Sequence, residues 1–330
     1  MKKTIITTLW SLLIISCLSA PAFAQELLVG GQIVGVQIST KGVLVAGLSE
    51  VETADGSVTP AKTAGVKQGD IILKANGQPV SKAADVTAAL EKSNGQPLCL
   101  GLERGGKALE LTVQPVCSAE GQWLMGMWLR DGITGIGTVT FQDPESGVYG
   151  ALGHCISDSD SGTQLPVGHG SICDAQIIGI NPGAAGAPGE LNGCTDLSKV
   201  LGSIQLNTDH GIFGQAYSSL GTRVIESGQM CTGPAMIVST ISGRQTGEYE
   251  VEVNRIYRDS SGQHAMISIT DPALLEKTGG IVQGMSGSPL IQNGKLVGAV
   301  THVFVSDPTR GYAISIDDML KAAGIQEKAA

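Results

Sequence analysis

"GIVQGMSGSPLIQNGKLVGAV", residues 280–300, sets Ser286 between two glycines inside an apolar run, three residues before Pro289. Glycine on each side lets the backbone bend sharply. The stretch is therefore either a plain turn between strands or a loop that aims a serine hydroxyl together with the Gly284 and Ser286 amides. A serine hydroxyl is a weak nucleophile at neutral pH until a positioned base takes its proton. The chain offers five histidines, His154, His169, His210, His264 and His302. His154, in "GALGHCISDSDSG", stands where an apolar strand gives way to a polar turn, which holds a side chain firmly yet leaves it open to solvent. It is the leading base. Ser288, just before Pro289, reads as backbone-facing. His302, in "AVTHVFVSD", is either a cleft-lining group or a hydrogen-bonded rim histidine.

Around this loop, from Gln122 onward, the sequence is a series of short apolar runs: "TGIGTVTF", "VYGALGHCI", "AQIIGI", "AMIVSTI", "YEVEVNRIY", "HAMISI". No long helical period appears until "SIDDMLKAAG". Strands at this spacing predict a barrel or sandwich. The 46 glycines and 4% aromatic content agree with many short strands and tight turns. "NPGAAGAPGELNG", 181–193, predicts a surface excursion at a cleft rim. By residue type Asp158, Asp160, Asp174, Asp196, Asp209 and Asp271 are all candidates for a carboxylate beside His154, and Asp271 in "ITDPALL" also reads as a helix N-cap before Pro272 at the first helical position. Asp158 and Asp160, in a Ser/Asp loop, read as solvated, and Arg310 is expected to orient its loop through Asp307.

Residues 27–116 form a separate unit. "KGVLVAGL" is a β-type run, "LCLGLERGGKALELTVQPV" a hairpin with GG at its bend, and "SKAADVTAALEKSNG" a helix opening at Ser81 and closing at Gly95. "AGVKQGDIILKANGQPV" resembles the PDZ pattern around Gly65, Gly69, Asp70, Ile71, Ile72, Asn76 and Gly77. That resemblance implies a peptide-binding module, with "GGQIVGV" lying where a PDZ domain carries its carboxylate-binding loop. Ile33, Val34, Gly35 and Val36 are the expected peptide-binding residues, their amides forming an anion site beside a sheet edge that accepts an added strand.

The N-terminus has the charged, apolar and small-residue parts of an export signal over residues 1–24. Three fates stay open: cleavage after Ala24, retention as a membrane anchor through residues 4–23, and lipidation at Cys17. All three predict an extracytoplasmic chain. Six cysteines follow, with Cys155–Cys173 the first candidate pair and buried free thiols the alternative. A net charge of −9, with no basic block, argues against a nucleic-acid partner. No CxxC or HExxH spacing is present, so neither a metal nor another cofactor is expected.

"GMSGSPL" followed by "IQNGKLVGAV" resembles the nucleophile loop and hairpin of chymotrypsin-like serine proteases. Residues 270–314, with "ALGHCISD", "PGELNG" and "LNTDHGIFG" after a PDZ unit, are similar over nearly the whole exported chain to the SpoIVB sporulation serine peptidases. The resemblance implies a mainly β, minor α architecture, with a PDZ domain at 27–116 and a β-rich, chymotrypsin-like barrel peptidase at 122–330. It places the catalytic histidine at His154, the serine at Ser286 and the proposed aspartate at Asp271, with Gly284 and Ser286 amides as the oxyanion donors. It further implies a protein substrate, a membrane-protein regulator of an intramembrane protease, whose limited cleavage leads to sigma-factor activation, and self-cleavage. The PDZ unit would dock substrate, a partner or the enzyme's own N-terminal region. An HtrA-like quality-control protease and a non-catalytic PDZ-containing module are the rival readings. The first usually places its protease before its PDZ domain, and the second is expected to lose His154 or Ser286.

Overall fold

The computed structural model describes residues 24–221 and 223–325. The expected export segment, residues 1–24, therefore lies almost wholly outside the described residues. Two strands come first, β1 (Glu26–Val29) and the long β2 (Ile33–Leu48). Next come β3 (Val51–Thr53), β4 (Gly56–Val58), helix α1 (Pro60–Thr63), β5 (Ile71–Ala75), β6 (Gln78–Pro79) and helix α2 (Ala83–Ser93). A hairpin, β7 (Leu98–Arg104) and β8 (Lys107–Val113), leads to the short pair β9 (Val116–Cys117) and β10 (Trp123–Leu124).

The middle of the chain is all strand: β11 (Met127–Gln142), β12 (Val148–Ala151), β13 (Val167–Asn181), β14 (Glu190–Ser203), β15 (Leu206–Thr208), β16 (Gly211–Gln215) and β17 (Val224–Glu226). The last part contains β18 (Gly233–Ser242), β19 (Gln245–Asp259), β20 (Gly262–Ile269), helix α3 (Pro272–Thr278), β21 (Pro289–Gln292), β22 (Lys295–Phe304), β23 (Asp307–Ser315) and helix α4 (Ile316–Ala322).

Alternation builds the PDZ core. Leu98, Leu100 and Leu102 of β7 and Val43 and Val45 of β2 are each at most 1% exposed, and they pack on Val86 and Leu90 of α2. The helix starts one residue later than its serine suggests. The Asp85 carboxylate accepts the Ser81 and Lys82 amides, so Lys82 takes the cap position. Asn94 and Gly95, both at positive φ, end it.

The C-terminal strands close into a barrel in the order β18-β19-β20-β23-β22-β21. Its interior is aliphatic: Ile237, Val251, Val253, Ile267, Leu290, Val297 and Val300. The fold is mainly β with a PDZ unit ahead of a β-rich lobe carrying this barrel, as the sequence predicts.

Strand pairing continues across the boundary between the two units. β1 pairs with β11 and β17, and the first half of β2 pairs with β11 on one edge and β13 on the other. Residues 26–40 thus help build the sheet that faces the barrel, while the second half of β2 joins β5 through Val43 and Leu44. This also overturns the expected carboxylate loop. Val34, Gly35 and Val36 pair with Gly137, Ile136 and Gly135 on one side, and with Asp174, Cys173 and Ile172 on the other, while Ile33 pairs with Thr138. A backbone hydrogen-bonded along both edges has no free amides to offer a peptide.

Candidate active site

Two turns bring the leading candidates together. At the end of β12, Leu152 and Gly153 both take φ of +70°, and the Gly153 amide donates back to the Ala151 carbonyl at 2.9 Å. A tight three-residue turn with positive φ at a leucine is uncommon and strained. Its effect is to swing His154 out of the strand and into a cleft. Asn207 then fixes the loop beyond: its carboxamide accepts the Ile156 amide and donates to the Ile156 and Leu165 carbonyls at 2.8, 2.8 and 2.9 Å.

From the barrel side comes the loop before β21. Gly284 and Gly287 sit at φ +99° and +94°, conformations that glycine adopts without steric cost. A β-carbon on Gly287 would lie 2.1 Å from the Thr138 carbonyl oxygen. Strand β11 holds the loop from the other lobe. The Thr138 amide donates to the Ser286 carbonyl at 3.0 Å, and the Thr138 and Thr140 hydroxyls donate to the Gly284 and Gly287 carbonyls at 2.8 Å each. The Met285, Gly287 and Ser288 amides all find backbone carbonyls. The Gly284 and Ser286 amides have no such partner among the described residues. The loop 181–193 is a brace as well as a rim: the Gln283 amide donates to the Gly189 carbonyl, and the Leu191 amide donates to the Gln283 carbonyl.

His154 and Ser286 line one cleft of ≈ 830 Å³ between the two lobes, with His302, Ile136, Ile156 and Tyr257 among its walls. His154 Nδ1 lies 2.8 Å from the Cys155 carbonyl oxygen. A carbonyl only accepts, so Nδ1 carries the proton and Nε2 keeps its lone pair. Burial pushes the His154 pKa down, and the bond to Cys155 opposes it without cancelling it. The His302 ring lies 4.6 Å from that of His154, tilted by 38°. Burial, then the neighbouring His154 and His264, push His302 down to about 4. Both imidazoles are therefore neutral at pH 7. The Ser286 hydroxyl donates to the Thr301 carbonyl at 2.6 Å, a resting bond that a rotation about its Cα–Cβ bond would break.

Asp271 does not join them. Its carboxylate accepts the Leu274 amide at 2.9 Å and caps α3, with Pro272 in the first turn and Gly279 closing the helix at φ +71°. The second oxygen faces the Glu250 amide, and Asp271 raises the pKa of Tyr249 after the larger effect of burial. It is absent from the cleft lining. The cap reading of "TDPALL" is the one the geometry supports. Ser288 is backbone-facing, bonded to the Met285 carbonyl and Ser239.

Other expectations change. The Asp158 side chain is buried rather than solvated, paired with Arg130 at 3.0 Å and bonded to Ser161. Arg310 lies over the Phe304 ring, while Asp307 accepts from Thr309. Cys155 and Cys173 are unbridged, as are the other four described cysteines. Thr138, Arg130 and Asn207 escaped notice because each acts through a residue far away in sequence. Asn207 and Thr138 do stand within motifs quoted above, "LNTDHGIFG" and "TGIGTVTF".

Among known proteins, residues 34–114 match the PDZ domain family and residues 121–320 match SpoIVB peptidase S55. The regulator of sigma-E protease RseP of Salmonella typhimurium is 38% identical over 68 residues, 21% of this chain and 14% of that protein. Serine protease HTRA1 of Xenopus tropicalis is 40% identical over 57 residues, 17% of this chain and 13% of that protein. The chain spans about a fifth or less of the length of these curated relatives. A solved protease of M. tuberculosis, Rv3671c, is similar at 13% identity and a TM-score of 0.36, covering 60% of this chain and 78% of that one. The match to the peptidase model takes in more than half of the sequence, and the chain belongs to the SpoIVB peptidase S55 family.

Proposed function

We propose that this protein is an exported serine endopeptidase in which Ser286 is the nucleophile and His154 the base. The observation that carries this reading is the shared cleft: a serine on a tightly bent glycine loop, a histidine with its Nε2 lone pair free, and two amides beside the serine without a backbone partner among the described residues. In the reaction Ser286 Oγ turns from the Thr301 carbonyl and bonds to the substrate carbonyl carbon as its proton passes to His154 Nε2. The Gly284 and Ser286 amides hold the tetrahedral oxyanion, donors typically worth about 3 kcal/mol each. His154 then protonates the leaving amine, and water attacks the acyl-enzyme as the imidazole takes its proton. The Cys155 carbonyl holds the imidazole in its working tautomer, a task that a carboxylate performs in the Ser-His-Asp arrangement.

The substrate we propose is a membrane-associated regulatory protein, cut at few sites in sporulation signalling that ends in sigma-factor activation, with self-cleavage. Family membership supports this reading. The test begins with a fluorophosphonate probe on the chain from Gln25 onward. Wild type is labelled, Ser286→Ala is not, and His154→Ala is labelled at least about a hundredfold more slowly. Labelling that survives Ser286→Ala removes the nucleophile assignment. Indiscriminate digestion of unfolded casein would favour quality control over a regulatory cut.

A further inference from the structure

The cleft that holds His154 and Ser286 is nearly free of charge. Among the described residues no lysine, arginine or glutamate lines it, and Asp209 is its one carboxylate. Two of its histidines, His154 and His302, are kept neutral at pH 7 by burial. The third, His264, has its Nε2 2.9 Å from the Ser261 hydroxyl and 3.4 Å from the Asp259 carboxylate, and so is already engaged. The exposed Asp209 carboxylate has no hydrogen bond or ion pair among the described residues. Water is its partner until something else enters the cleft.

Its backbone, by contrast, is firmly held. Asp209 stands at the tip of the hairpin formed by β15 and β16. Within the tip the Thr208 hydroxyl donates to the Gly211 carbonyl at 3.1 Å and accepts the His210 amide at 3.2 Å. Gly211, at φ +131°, presses on the turn that aims His154: a β-carbon there would lie 2.5 Å from the Ala151 carbonyl oxygen. On the other side His210 Nε2 lies 2.6 Å from the Ser261 carbonyl oxygen, in the turn between β19 and β20 of the barrel. A carbonyl only accepts, so this nitrogen carries a proton and bridges the two lobes. The residues on either side of Asp209 are spent on fixing the tip, and its own side chain is left facing the cleft.

We infer that Asp209 is a specificity-determining residue, which receives a lysine or arginine side chain of the substrate within a few residues of the bond that is cut. The inference rests on the peptidase reading proposed above. An ion pair at an open surface is worth about fivefold in binding or less. In a cleft filled by substrate there is less water and no competing protein cation, and the pair moves toward the tenfold or more of a charged hydrogen bond. The aliphatic stem of lysine or arginine suits apolar walls such as Ile156 and Ile314. An aspartate or glutamate at the same substrate position meets a like charge and is rejected.

The experiment reads preference rather than total activity. The chain from Gln25 onward is given a random decapeptide library, and the cut sites are read by mass spectrometry. Lysine and arginine are expected to be enriched about fivefold or more at one position relative to the cut. Asp209→Asn abolishes that enrichment, and Asp209→Lys reverses it in favour of aspartate and glutamate. Two quenched fluorogenic peptides, with lysine or norleucine at that position, give a ratio of kcat/KM values that falls about fivefold or more in Asp209→Asn and shrinks for wild type in about 0.5 M salt. The same library passed over immobilised Ser286→Ala protein reads binding without hydrolysis: the retained peptides carry the basic enrichment, and Ser286→Ala with Asp209→Asn loses it. This arm separates the two readings. A library that wild type leaves uncut, yet that is retained with an Asp209-dependent basic enrichment, supports the subsite and removes the peptidase assignment. Cutting without basic preference keeps the peptidase and overturns the subsite. The inference is equally overturned if the enrichment survives Asp209→Asn, if the library is neither cut nor retained, or if Asp209→Asn slows both fluorogenic peptides alike, the mark of a carboxylate that serves His154.

Discussion

Asp271 is tied to a helix rather than to His154, and its two substitutions separate the roles. Asp271→Asn keeps a good capping side chain and is expected to change both stability and turnover little, by less than about tenfold in rate. Asp271→Ala loses the cap and costs about 1 kcal/mol, read as a lower midpoint in denaturant unfolding. A triad carboxylate would lose about 10⁴ in rate on change to Asn. His154 sets the pH dependence. It must be neutral to accept the serine proton, and burial, the larger influence, holds its pKa below the ordinary histidine value despite the Cys155 bond. The acid limb of kcat/KM is therefore expected below about pH 6.5. A midpoint at or above that value would contradict the buried, carbonyl-held imidazole.

Strand β11 links the two catalytic loops. Near its start Arg130 reaches Asp158 and Asp160, at 3.0 and 2.5 Å, in the loop after His154. Eight residues on, Thr138 supports the loop of Ser286. Burial would raise the Asp158 pKa, but bonds from the Ser161 amide and hydroxyl, with the Arg130 charge, outweigh it and leave it lowered. A carboxylate depressed on folding adds stability above its unfolded pKa of about 3.9, and loses it as pH falls through the folded value. Arg130→Ala is expected to cost about 1–2 kcal/mol at pH 7, a charged hydrogen bond discounted for the third of Arg130 that solvent reaches. Thermal melts should show the gap from wild type shrinking below pH 4. A gap that persists there would assign the loss to packing. The sequence shows "TGIGTVTF" as a strand through its β-branched residues. It could not show that one strand serves the PDZ sheet, the histidine loop and the serine loop, because pairing partners lie far along the chain.

Across the whole molecule the PDZ unit is not a bead on a string. β2 and β11 both run through it into the sheet that faces the barrel, and Gln68 donates to the Ala46 and Asp160 carbonyls across the joint.

By itself the sequence determined the parts whose signals are local. Alternating apolar residues and glycine turns specify strands, "PALLEKTGG" specifies a short helix ending at glycine, and "GMSGSP" specifies a bent loop, because each depends on neighbours a few residues away. It also named His154 and Ser286 through a long shared motif order. The tertiary structure alone decided that Asp271 stays on its helix, that Asp158 is buried against Arg130, and that Val34–Val36 are paired on both edges. Those outcomes depend on which distant strands share hydrogen bonds and which charges leave water together, and these are properties of the folded sheet.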